Sequence, residues 1–157
     1  MTFRKTYTPK EAMLKAAAYC AYQERCHQEV EDKLSEWGVY GTDAGEIIIA
    51  LMEQNYLNEE RFAKAFAGGK FRVKRWGRNR IRMELKARKV SDYCIRSGMK
   101  EIDEDQYAET LRTLAEDKLS TVKAPGSAAA KAKTAQYLIG KGYEADLVWN
   151  TLATLQL

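Results

Sequence analysis

Residues 70–90 read KFRVKRWGRNRIRMELKARKV, and this stretch organises the rest of the chain. It carries Lys70, Arg72, Lys74, Arg75, Arg78, Arg80, Arg82, Lys86, Arg88 and Lys89 against the single acid Glu84. The whole chain nets only +4, so the local excess exceeds the total. Like charges held together repel one another, and a chain that concentrates them implies a polyanion or an acidic protein surface as partner. Phe71, Val73, Trp76, Ile81, Met83, Leu85 and Val90 are interleaved with the cations. The stretch is therefore expected to fold and to present its cations on a surface.

The stripe that continues upstream decides the fold class. Phe62, Phe66, Gly69, Val73 and Trp76 follow at alternating steps of four and three, the signature of one helical face. Gly77 is expected to break that helix, and Arg78 to open a fifth that buries Ile81 and Leu85 and ends near Lys89. Working outward, Asn58-Glu59-Glu60 caps the fourth helix, with acids at its positive end. Ser91-Asp92 starts a sixth, with Ile95, Met99 and Ile102 inward.

Toward the N-terminus, Thr8-Pro9-Lys10-Glu11 reads as a capping box with proline in the first turn. The second helix runs from about His27, with Val30, Leu34 and Trp37 on one face, and is closed by Gly38. Asp43 with Glu46 is expected to open the third. Toward the C-terminus, Asp103 with Gln106 opens a seventh helix marked by Tyr107, Leu111 and Leu114. TVKAPGS (121–127) is the clearest loop. An eighth helix carries Tyr137, Leu138 and Ile139. A ninth buries Val148, Leu152 and Leu155.

Nine helices fall into threes. Leu34, Leu85 and Leu138 hold equivalent places in the second helix of each triplet. Val39, Val90 and Tyr143 follow them at a constant interval, a repeat of roughly 50 residues. The expected fold is all-α: three tandem three-helix, helix-turn-helix-like modules (1–57, 58–102, 103–157) in an elongated, curved arrangement, each too small to be secure alone.

Composition narrows function. With 45% hydrophobic and 31% charged residues, the chain has both a core and a well-charged surface. Its longest apolar runs fall far short of a membrane span, and MTFRKTYTPKEA lacks the apolar centre of a signal peptide. Cys20, Cys26 and Cys94 form no disulfide framework, which fits a reducing compartment; a cytoplasmic location is expected. Cys20, Cys26 and His27 fall short of the four ligands that zinc takes. The single histidine supports no catalytic dyad or triad, and no GxxxxGK[ST] loop is present to hold phosphate. No cofactor, metal or catalytic residue is expected. Trp76 admits two readings, a base-stacking face or core packing, and its place in the stripe favours the core. Trp37 and Trp149 read likewise, and Cys94 reads as a small core residue.

Two passages resemble the RecX family of regulatory proteins. YLNEERFA at 56–63 is similar to the family's GYLDDERFA signature, and 70–90 resembles its basic RRWGRxRIRxELRxKGV block. Lys89 stands where that pattern has glycine, Gly68-Gly69 inserts flexibility within the fourth helix, and the alanine-rich run 128–135 has fewer cations than many relatives. The resemblance implies a monomer that binds the groove of the RecA–DNA filament and restrains ATP hydrolysis, strand exchange and co-protease activity without chemistry of its own. It implies filament contacts at Lys70, Arg72, Lys74, Arg75, Arg78, Arg80 and Arg82, with weak, non-specific DNA binding and no membrane partner. A helix-turn-helix-like DNA-binding protein is the alternative, and a helical scaffold for another acidic protein is a third reading.

Overall fold

A computed structural model describes residues 6–155. Every regular element among them is helical. The order is α1 (Pro9–Tyr22), α2 (His27–Glu36), α3 (Gly41–Glu53), α4 (Glu59–Gly69), a π-helical segment (Lys70–Lys74), α5 (Arg78–Ala87), α6 (Asp92–Met99), α7 (Glu104–Leu119), α8 (Ala128–Gly140) and α9 (Ala145–Thr154). The fold is all-α and built of repeated three-helix modules. No helix among the described residues is long and apolar enough to cross a membrane.

The chain folds as two compact units. One comprises the residues up to Ala65 together with Leu85–Gly98, the other Phe66–Glu84 together with the residues from Met99 onward. In the first, α1, α2 and α3 pack pairwise around Ala12, Ala16, Val30, Leu34, Ile47 and Leu51. Thr8 accepts from the Glu11 N–H while Glu11 accepts from the Thr8 N–H, so the expected capping box is complete. The same unit brings α4 and α6 into near backbone contact: a β-carbon on Gly98 would lie 2.6 Å from the Ala63 carbonyl oxygen. In the second unit, α7, α8 and α9 pack pairwise around Tyr107, Leu111, Ala115, Ala135, Leu138, Val148 and Leu152.

The repeat in the sequence has a physical identity. Leu34, Leu85 and Leu138 are all fully buried, each worth roughly 2 kcal/mol of apolar transfer. The N–H groups of Val39, Val90 and Tyr143 donate to the carbonyls of those leucines at 2.8, 3.2 and 3.2 Å. Between them Gly38, Lys89 and Gly142 take φ of +81°, +59° and +103°. This is the left-handed turn that satisfies the last carbonyls of a helix and tucks an apolar residue beneath them. Lys89 thus performs a glycine's task with a side chain attached.

Several expectations are corrected. Helix α3 starts at Gly41 behind Tyr40, not at Asp43, and its N-cap makes no side-chain hydrogen bond. The stripe from Phe62 to Trp76 is not one α-helix. Phe62, Ala63, Ala67 and Phe71 are its buried side chains, and the four-residue steps from Ala63 to Phe71 overshoot a 3.6-residue turn. The wider π turns from Lys70 bring Phe71 back to the core. Val73 rotates out as a result and is 79% exposed. Trp149 is also exposed rather than buried, and Cys94 is only partly covered.

Candidate functional site

All seven cations singled out from the sequence lie in the second unit, on the π-helical segment, the turn after it and the start of α5. That turn is held from beneath. Gly77 N–H donates to the Lys141 carbonyl at 2.8 Å, and Asn79 N–H donates to the Gly142 carbonyl at 2.9 Å. The two glycines meet backbone to backbone: a β-carbon on Gly77 would sit 2.2 Å from the Gly142 carbonyl carbon. Gly77 therefore does more than break a helix. It lets the basic turn dock on the turn between α8 and α9.

A column of aromatic rings fixes both ends of this turn. Phe71 packs on Tyr107 with centroids 5.7 Å apart, and Tyr107 on Tyr143 at 5.1 Å. The Tyr143 hydroxyl donates to the Arg75 carbonyl at 3.0 Å, and the Arg78 N–H donates to the Tyr107 hydroxyl, also at 3.0 Å. Tyr107 in turn donates to Glu144. Burial raises the pKa of both phenols, and for Tyr107 the Glu144 carboxylate adds to the shift, so both remain protonated donors. Burial also opposes ionisation of Glu144, but hydrogen bonds from Tyr107 and Arg78 outweigh it and hold the carboxyl below its usual range.

The cations divide by what surrounds them. Arg78 turns inward: it pairs with Glu144 at 2.8 Å and Glu104 at 2.9 Å, and its guanidinium lies 3.8 Å from the Tyr107 ring centroid. Arg80 lies over Trp76 at 4.2 Å, and Lys70 sits 5.2 Å from the same ring. Trp76 is half-buried, edge-on to Phe66 at 6.4 Å, so its packing reading fits better than a free stacking face. Arg82 reaches Asn79 at 3.2 Å. Arg72, Lys74 and Arg75 are exposed.

Arg72 and Arg75 line one side of a shallow cavity of ≈ 250 Å³, with Phe71, Gln106, Glu109 and Thr110. The guanidinium of Arg72 lies back over Gly68, where a β-carbon would stand 2.8 Å from it. That glycine makes room for the side chain. Arg75 itself adopts φ +56°, a left-handed conformation that costs an L-residue roughly 1–2 kcal/mol.

Sequence reasoning missed one cation. Lys141 donates to the Lys74 carbonyl at 3.4 Å. Its pKa is lowered by burial, then by Arg80 and Arg75. The signal was present in the Gly140-Lys141-Gly142 run, since the residue before a left-handed closing glycine is carried out with the turn. Among the described residues no group of three or more His, Cys, Asp or Glu side chains is placed to hold a metal. Burial pushes the Cys26 thiol up to about 12 and raises Cys20 as well, which leaves both in the unreactive protonated form.

Models of the second and third three-helix domains of RecX match residues 58–99 and 104–152, together more than half of the chain. The chain belongs to the RecX family. It is 27% identical over 147 residues to the regulatory protein RecX of Bacillus mycoides, a match spanning 94% of this chain and 54% of that RecX. The chain thus spans about half the length of the curated RecX relatives it matches. The crystal structure of RecX from Lactobacillus salivarius shares the fold with a TM-score of 0.81 and 22% identity, covering 92% of this chain and 94% of that one. A second crystal structure of regulatory protein RecX also gives 0.81, with 18% identity over 94% of this chain and 73% of that one.

Proposed function

We propose that this protein is a non-catalytic regulator that binds the RecA–DNA filament through its basic face and restrains RecA ATP hydrolysis, strand exchange and co-protease activity. The observation that carries the reading is the folded basic turn, with Arg72, Lys74 and Arg75 exposed beside Lys70, Arg80 and Arg82 in one compact unit. A nucleoprotein groove is polyanionic, and such a strip is attracted to it by a force that falls with salt. Arg78 holds the turn in shape beneath the contacts. Three modules at 1–57, 58–102 and 103–157 are the repeating units in this reading, and the domain matches at 58–99 and 104–152 support the division. The protein acts as a cytoplasmic monomer without a cofactor, and its direct binding to DNA is weak and non-specific.

The test is RecA ATPase on single-stranded DNA with added protein. The wild type is expected to lower the rate at stoichiometric amounts or below, and the triple variant Arg72→Glu, Arg75→Glu, Arg82→Glu to require at least about tenfold more protein. Arg78 is left out of that variant because its loss would act through folding. A wild type that leaves the ATPase unchanged sinks the reading. A footprint at one defined duplex site would instead favour a helix-turn-helix-like DNA-binding protein.

A further inference from the structure

Lys141 and Tyr137 come from the alanine-poor end of α8, where the sequence promised little. Tyr137 is 40% exposed, with Lys118 at 4.8 Å and Lys141 at 5.8 Å from its ring centroid. Lys141 leans toward the basic turn, donating to the Lys74 carbonyl. Gly142 beside it packs on Arg80: a β-carbon there would lie 2.4 Å from the Arg80 β-carbon. The charges acting on Lys141 are those of Arg80 and Arg75. Mutual repulsion among three cations is unfavourable in the free protein, and an incoming anion relieves it.

We propose that Lys141, Arg75 and Arg80 bind the phosphodiester backbone of single-stranded nucleic acid, with Tyr137 as the platform on which one unpaired base stacks. Phosphodiester is favoured over the carboxylates of an acidic protein by the aromatic face beside the cations. Exposed rings interleaved with basic side chains suit bases and phosphates that alternate along one strand, whereas an acidic side chain has no use for a stacking surface. This deepens the filament reading and rests on it for the choice of face. It assigns that face a direct contact with DNA, made partly by the third module.

The experiment needs no RecA, so the two readings fail separately. Binding of a fluorescent oligo-dT is followed by anisotropy across a salt series, for the wild type and for Lys141→Gln, Lys141→Arg, Tyr137→Phe and Tyr137→Ala, each checked for an unchanged melting temperature. Lys141→Gln should weaken binding several-fold and flatten the log–log salt slope by about 0.7, the share of one single-strand phosphate contact. Lys141→Arg should restore both. Tyr137→Ala should weaken binding at least about fivefold at every salt concentration, with Tyr137→Phe near wild type. Should Lys141→Gln cost folding, the Lys141 ammonium is titrated by NMR in the wild type, where oligo-dT should raise its pKa. The proposal is overturned by a wild-type slope in a folded Lys141→Gln variant, by equal binding of the two Tyr137 variants, or by a Lys141 titration that oligo-dT leaves unmoved. It is equally overturned if poly-glutamate binds in place of oligo-dT and responds to Lys141→Gln while oligo-dT does not. Loss of RecA inhibition with oligo-dT binding intact would damage the filament reading alone.

Discussion

The π-helical segment with Arg75 and the first turn of α5 carry the same kind of side chain and use it in opposite ways. Along Lys70–Arg75 the widened turns place Phe71 in the core and leave Arg72, Lys74 and Arg75 exposed. Three residues further on, Arg78 is drawn inward by Glu104, Glu144 and Tyr107, whose helices start elsewhere in the chain. Charge density along a sequence therefore overstates charge on a surface. Whether a cation faces a partner or supports the fold depends on which acids the tertiary structure brings to it.

Gly77 separates the two regions, and altering it should have the largest effect. Gly77→Ala pushes a methyl into the Gly142 backbone, where neither side can yield cheaply. A loss of about 3 kcal/mol or more is expected in urea unfolding. A loss under 1 kcal/mol would show that the two turns are not tightly docked.

Removing Arg78 is next. Arg78→Ala leaves Glu144 without its guanidinium and should cost about 2–3 kcal/mol. Arg72→Ala, on the exposed segment, should stay within about 0.5 kcal/mol. Equal costs for the two would mean that Arg78 supports the fold no more than Arg72 does.

Acid sharpens the same point. The folded-state pKa of Glu144 lies below its ordinary value of 4.5. Its contribution is therefore fully present above the unfolded-state pKa and is lost as pH falls through the folded-state value. Wild-type stability should fall on acidification below pH 4.5, and Glu144→Gln should flatten that part of the profile. An unchanged profile would mean that the carboxylate is not held by its hydrogen bonds.

The smallest effects concern the two strained arginine and lysine turns. Arg75→Gly relieves a left-handed conformation and should raise stability by about 1 kcal/mol while weakening RecA inhibition. Lys89→Gly, at φ +59°, should give a gain of the same order with inhibition unchanged. If Arg75→Gly inhibits as well as wild type, its strain serves no contact.

Much of the fold was legible because helix ends are local events. Thr8 with Glu11, Asn58 before α4, Asp103 with Gln106 and Ser127 before α8 each cap a backbone N–H within three residues. Periodicity within one α-helix identified Leu34, Leu85 and Leu138 for the same reason. It misplaced Val73 because a stripe read at a fixed 3.6-residue turn cannot register a change of pitch. The inner face of α8 was not legible because the helix packs through the small residues Ala130, Thr134 and Ala135 and leaves Tyr137 and Ile139 exposed, a face that hydrophobicity alone does not mark.

The chain by itself determined that this protein is helical, repeats a leucine-centred closing turn, and concentrates cations between residues 70 and 90, since caps, turns and composition are properties of neighbours in sequence. Only the tertiary structure decided that Arg78 is a strut, that Arg72, Lys74 and Arg75 are exposed, and that Lys141 reaches the Lys74 carbonyl. Those outcomes depend on Glu104, Tyr107, Gly142 and Glu144, distant in sequence and brought within a few ångströms by packing.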